Sequence, residues 1–327
     1  MINVFAGVIG ATGNVDGPVA SAQFNLPVGL AADAAGDLYI ADNSNFTIRK
    51  VSGGVVSTIA GTPGLAGSAD GVGNAALFSG PSLIASDSAG NLYVTDEGAS
   101  ATGAVIRKIT PAAQVTTLTD VATGLAILTD GSGAVGVDSQ SNVYVFTSTP
   151  TQPSVLTQIT PAGDVNLISL TSLGGGALAL VNPQALVIDS ANNLYVTDDD
   201  LNGNAGVLYK ITLSSGTAGV VTTLAGSTAV SGATDGPGNL ATFDGLDSLT
   251  LDPAGNIFVS DFNNSTIREV SPAGVVSTIA GIPGQTALVT GPLPATLPDI
   301  GAVLWSGQTL YASDIDDNVI LGISPLQ

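Results

Sequence analysis

Leu38-Tyr39-Ile40-Ala41-Asp42 opens a phrase that occurs six times in this chain. It returns as Leu92-Tyr93-Val94-Thr95-Asp96, Val143-Tyr144-Val145-Phe146-Thr147 and Leu194-Tyr195-Val196-Thr197-Asp198, then as Ile257-Phe258-Val259-Ser260-Asp261 and Leu310-Tyr311-Ala312-Ser313-Asp314. The intervals between starts are 54, 51, 51, 63 and 53 residues. A period of that length built from short runs marks a radial or stacked array. Around the first copy the chain divides into runs at 28–32, 38–41, 46–51 and 55–60; around the fifth, into 249–251, 257–260, 266–270 and 275–280. Val, Ile, Leu, Tyr and Thr fill these runs, while Gly, Asp, Asn and Pro bound them, as in strands joined by tight turns. No stretch sustains a 3.6-residue period, which predicts almost no helix.

Six units of four antiparallel strands predict an all-β, six-bladed β-propeller. It is expected to take up residues 1–327 as one domain, although length alone would suggest about two. The chain ends make the expectation specific. The last repeat provides strands near 302–304, 310–313 and 319–323 and has no fourth. Ile2-Asn3-Val4-Phe5-Ala6-Gly7 resembles Val56-Ser57-Thr58-Ile59-Ala60-Gly61, so the N-terminal strand should complete blade six and close the ring. Closure removes the open sheet edges that invite aggregation.

These residues resemble the NHL-repeat family, as a bacterial, extracytoplasmic member. The family pattern is met almost fully in repeats one and five: Asp-x-x-Gly-Asn/Asp, apolar-Tyr/Phe-apolar-x-Asp, Ile-Arg, and Val-x-Thr-apolar-Ala-Gly. Repeat two keeps most of it, and repeat three replaces the strand-end Asp by Thr147. The resemblance implies the propeller fold and leaves the activity open, since one fold hosts many functions.

The chain has 26 acidic and six basic residues, no His and no Cys, and a net charge of −20. All six bases fall in third strands: Arg49, Lys50, Arg107, Lys108, Lys210 and Arg268. They are expected to pair with the Asp that ends the preceding strand, giving structural ion pairs Asp42–Arg49, Asp96–Arg107 and Asp261–Arg268; the planar guanidinium suits a two-pronged carboxylate contact. No basic patch remains for phosphate, so nucleic acid and anionic membranes are excluded as partners, and the RNA binding of some NHL propellers does not carry over. The charge-free stretch 165–188 contains Gly174-Gly175-Gly176 and reads as a blade crossing, with no membrane insertion. Few lysines and no cysteine suggest an extracellular, surface or periplasmic bacterial setting.

Without His or Cys, Ser-His-Asp and Cys-His chemistry and His-bound zinc are unavailable. The histidine-dependent zinc and antibiotic-lyase activities that the resemblance brings to mind are excluded with them. A calcium-dependent, lactonase-like hydrolase is the catalytic alternative that survives. Asp198-Asp199-Asp200-Leu201-Asn202-Gly203 has the alternating oxygen donors and glycine of a half calcium loop, making Asp198, Asp200 and Asn202 candidate ligands; Asp314 and Asp316 stand at the matching place in blade six. Three blade connections share a phrase: Asp16-Gly17-Pro18 with Phe24, Asp70-Gly71 with Phe78, and Asp235-Gly236-Pro237 with Phe243. It reads either as a recurring ligand-recognition element or as a turn with an aromatic plug. The varied second-to-third loops and blade connections share one face, where function is expected. The leading expectation is a non-catalytic module binding a protein, peptide or glycan there. A self-assembling surface-layer or filament subunit is the alternative.

Overall fold

The computed structural model describes residues 1–100, 103–129, 134–149, 152–199 and 204–324. Six blades form a ring, each a sheet of four or five strands. In blades one to five the first four run antiparallel and in sequence order from the channel outward; in blade six the first three do so and the N-terminal strand is outermost. The innermost strands are Pro27–Ala32, Pro81–Ser86, Val135–Val137, Pro183–Ile188, Leu246–Leu251 and Ile300–Ser306. Ile2–Ala6 pairs antiparallel with Val319–Ile323 and forms the outer strand of blade six, as the sequence predicts. Helix is confined to three short 3₁₀ turns, Asn43–Asn45, Gly73–Ala75 and Phe262–Asn264. Among the described residues no helix is long and apolar enough to cross a membrane.

The structure adds a fifth outer strand that the sequence reading omits. The pairs Gly17–Pro18, Gly71–Val72 and Gly236–Pro237 lie against the fourth strands of blades one, two and five, while Ser169–Ser172 runs parallel to the fourth strand of blade four. The core lies between neighbouring blades, in apolar clusters such as Ile48, Phe78, Ile84 and Val94 between blades one and two. Glycine closes the fourth strand for a double reason. Gly61 and Gly226 have φ of +89° and +90°, and a Cβ there would come within 2.3 Å of the Phe46 and Gly206 carbonyl oxygens.

Inner strands are bulged near their first residues in blades one, two, four, five and six. A hydroxyl from the second strand fills the gap in the ladder: Thr95, Thr197, Ser260 and Ser313 accept the N–H of Leu83, Ala185, Ser248 and Ala302. The bulge re-aims the residue that it contains. That residue is Val28, Ser82, Gln184, Asp247 or Gly301 in the respective blades. Sequence reading starts the fifth inner strand at Leu249; pairing begins at Leu246, which brings Asp247 onto the wall of the channel.

Candidate functional site: the channel mouth on the loop-rich face

The repeated polar residues serve the scaffold. In blade one, the Arg49 guanidinium donates to Asp42 at 2.6 Å and to Asp16 at 2.7 Å, and also to the carbonyls of Gln23 and Val15. Asn45 donates to the same Asp42 oxygen, Oδ2, and the N–H and hydroxyl of Thr58 donate to Asp16. The Arg49 guanidinium carbon lies 5.3 Å from the centre of the Phe24 ring. Blade two repeats this with Arg107, Asp96, Asp70, Thr117 and Phe78, and blade five with Arg268, Asp261, Asp235, Thr278 and Phe243. Each arginine therefore spans two carboxylates, where the sequence reading expected two prongs on one. All three Phe rings are fully buried beneath their Arg, so they offer no surface to a ligand. Burial pushes the Asp42, Asp96 and Asp261 carboxyls upward, to about 6 at Asp261, against the pull of the N–H donors and the guanidinium.

The lysines point the other way. Lys50 pairs with Asp37 at 2.8 Å and donates to the Tyr39 hydroxyl, while Lys108 and Lys210 lie over Tyr93 and Tyr195. These pairs sit at the first-to-second turns, not at the strand-end Asp that the sequence suggested. In that turn one Asp takes four donors. Asp138 accepts the N–H of Gln140 and Asn142, the Asn142 amide and the Tyr144 hydroxyl, and Asp87 and Asp189 repeat the set.

Blades three, four and six lack the arginine. Thr147 and Thr157 replace Asp and Arg in blade three, joined by a 2.7 Å hydroxyl contact. Tyr209 faces Val196 in blade four, where Arg49 faces Ile40 in blade one, and Asp198 instead accepts the N–H of Val181 and Asn182. Leu321 takes the place in blade six. Its Asp314 is buried, accepts the Asp317 N–H through one oxygen and leaves Oδ2 without a partner among the described residues. Burial, with Asp317 and Asp316 nearby, pushes the Asp314 carboxyl up to about 7.

These placements bear on the calcium candidates. Asp198 and Asp314 are buried and turned into the scaffold, and Asp316 is exposed on its loop. Asp199 accepts the Leu246 N–H. Asp200 and Asn202 lie outside the described residues. Among the described residues, no three acidic side chains come together as a metal site would need.

Two cavities lie along the axis. The larger, about 520 Å³, opens at the short-turn end and is lined by all six inner strands. Sequence reading favoured the other end, and this cavity was not anticipated. Its walls carry aliphatic side chains together with Trp305, Ser86, Ser248, Thr250 and Ser306, and its one ionisable residue, Asp33, is held by the Tyr39 hydroxyl and two turn N–H groups. The second, about 350 Å³, opens on the loop-rich face and is lined by Gln184, Asp199, Gly245, Asp247, Phe262 and Asn263. Burial raises the Asp247 carboxyl to about 7, and the negative charge of Glu97 adds to the shift. Among the described residues Asp247 receives no hydrogen bond. Sequence reasoning missed it, although an Asp directly after Leu246 at the start of a repeat was the available signal.

A ring of six four-to-five-stranded blades, in a chain with no His or Cys, defines a six-bladed β-propeller. Residues 24–51 match the NHL repeat. By sequence it matches none of the curated proteins. Its fold is similar to a structural-genomics protein of unknown function from Bacteroides thetaiotaomicron (22% identity, TM-score 0.72, covering 98% of this chain and 74% of that one). It is also similar to an auxiliary nutrient binding protein from the same species (14% identity, TM-score 0.74, covering 100% and 76%). A third similar structure is a catalytically inactive histidine-to-alanine variant of virginiamycin B lyase from Staphylococcus aureus with quinupristin (12% identity, TM-score 0.56, covering 99% of each).

Proposed function

We propose that this protein is a non-catalytic binding module of a secreted or surface-exposed bacterial protein. It takes a protein, peptide or glycan on the loop-rich face, centred on the channel mouth. The observation that carries this reading is the division of labour among polar side chains. Those of the repeated motifs are consumed by latches and turns, whereas Asp247 and Gln184 stand in a concave mouth on the variable face, the setting in which ligand sites are found. Exposed apolar side chains in the surrounding connections, Ile9, Leu65, Val230 and Val289, add contact surface. A neighbour of the same fold is described as a nutrient-binding protein, which agrees with a binding role. The lyase neighbour is inactive when a histidine is lost, and this chain has none.

The test is a screen of printed peptide and glycan arrays beside a lactone and phosphoester hydrolysis panel run with calcium. Saturable binding without turnover is expected. Calcium-dependent turnover with no array signal would overturn the reading in favour of a hydrolase.

A further inference from the structure

Asp247 lines the loop-face cavity, and the chain supplies no cation to it. Arg49, Arg107 and Arg268 are enclosed in their latches; Lys50 is held by Asp37, and Lys108 and Lys210 lie over tyrosines at the opposite end of the blades. The terminal ammonium of Met1 donates to the Ser324 carbonyl. Every positive group of the protein is therefore committed elsewhere, while Asp247 shares its mouth with Asp199 and feels the charge of Glu97. Its neutralisation has to come from a proton or from outside.

The walls indicate which external cation fits. A calcium ion takes six to eight oxygen ligands at about 2.3–2.6 Å. The described residues gather no such set here. An organic ammonium needs less: one carboxylate, an amide acceptor and an aromatic face, all of which a desolvated mouth strengthens. The cavity presents Asp247, the Gln184 amide and the half-buried Phe262 ring together, in about 350 Å³. That volume admits an amine with a small substituent and excludes a folded domain.

Resting on the binding role given above, we propose that the mouth holds the protonated amine of the ligand, with Asp247 as its counter-ion and Phe262 as the face against the cation. The ligand class is thereby narrowed to one carrying a primary or methylated ammonium group, such as an amine-terminated peptide or an amino sugar. Asp247 and Phe262 set specificity and take part in no chemistry.

The probe is benzylammonium chloride, titrated by calorimetry at pH 8 against the wild-type chain, Asp247→Asn and Phe262→Leu. Benzyl alcohol, a neutral isostere, and calcium chloride are run in parallel. Benzylammonium should bind the wild type, weaken by roughly ten- to a hundredfold in Asp247→Asn, and weaken by roughly three- to tenfold in Phe262→Leu. Benzyl alcohol and calcium should give no heat that depends on Asp247. The sole tryptophan, Trp305, lines the opposite cavity, so its emission should not follow the titration. No benzylammonium binding, equal binding in Asp247→Asn, Asp247-dependent calcium binding, or a tracking Trp305 signal each overturns the proposal. Asp247→Asn removes no internal hydrogen bond, and a melting temperature at pH 8 no lower than that of the wild type confirms that the variant is folded. A protein that binds an array ligand and ignores benzylammonium loses this inference alone; one that binds nothing on the arrays loses the binding role itself.

Discussion

Asp138 shows how much one side chain does in this fold. Its carboxylate collects two backbone N–H groups, an amide and the Tyr144 hydroxyl at 2.8–3.2 Å. Asp138→Ala strands those donors around a buried turn and should cost about 1–3 kcal/mol in urea unfolding; a loss within error would show the turn to be indifferent to its acceptor. Arg49 is the corresponding residue at the other end of the blade. Arg49→Leu leaves Asp42 buried without its guanidinium and should cost about 3–5 kcal/mol. Adding Asp42→Asn should recover part of that loss, because blade six already does without the arginine, with Leu321 in its place and Leu297 packed in the same core cluster. A double variant no better than the single one would refute this account of the latch. Asp314 is the carboxylate that blade six retains. Its folded-state pKa of about 7 lies above the usual Asp value of about 3.9. Ionisation is thus disfavoured in the folded state, and stability falls as pH rises from about 4 to 7. Asp314→Asn should raise the melting temperature at pH 8, leave it nearly unchanged at pH 4, and flatten the profile between. An equal shift at both pH values would exclude this cause.

At the scale of strands, the alternation of apolar runs and Gly/Asp/Asn turns was legible because each strand is short and bounded by residues with a physical reason to turn. The closing role of Ile2–Ala6 was legible because its residues copy the fourth strands of other blades. Removing residues 1–7 should expose the edge of Val319–Ile323, whose residues are all buried, and produce aggregation or a large drop in melting temperature in static light scattering during a thermal ramp. An unchanged melt would mean that ring closure does not rest on this strand. The inner-strand bulges were not legible. A register shift leaves no mark on an apolar pattern, and each hydroxyl that fills a gap stands directly before a strand-end Asp, so it reads as part of that strand end. Asp247 is hidden for the same reason: apolar content marks the strand only from Leu249, and a charged residue in a bulge has the pattern of a loop. The Asp-Gly phrase with its Phe was visible as a recurrence, but its meaning depends on an arginine far along the chain, and sequence spacing does not reveal that contact.

For the whole molecule, six copies of one unit have diverged in how they hold themselves together. Blades one, two and five keep the arginine latch, and blades three, four and six replace it with hydroxyl, tyrosine or leucine packing. The scaffold uses the chain's few cations and leaves an acidic ring whose variable loops and free carboxylate share one face. Binding on that face is the central claim. Its most direct measurement probes the same peptide and glycan arrays with three proteins: the wild type, a Leu65→Arg/Val230→Arg variant altered on the loop-rich side, and an Ala89→Arg/Ala191→Arg variant altered at the exposed short turns. The account predicts a wild-type signal that disappears in the first variant and persists in the second. A signal that survives in the first and disappears in the second would place the ligand on the opposite face and contradict it.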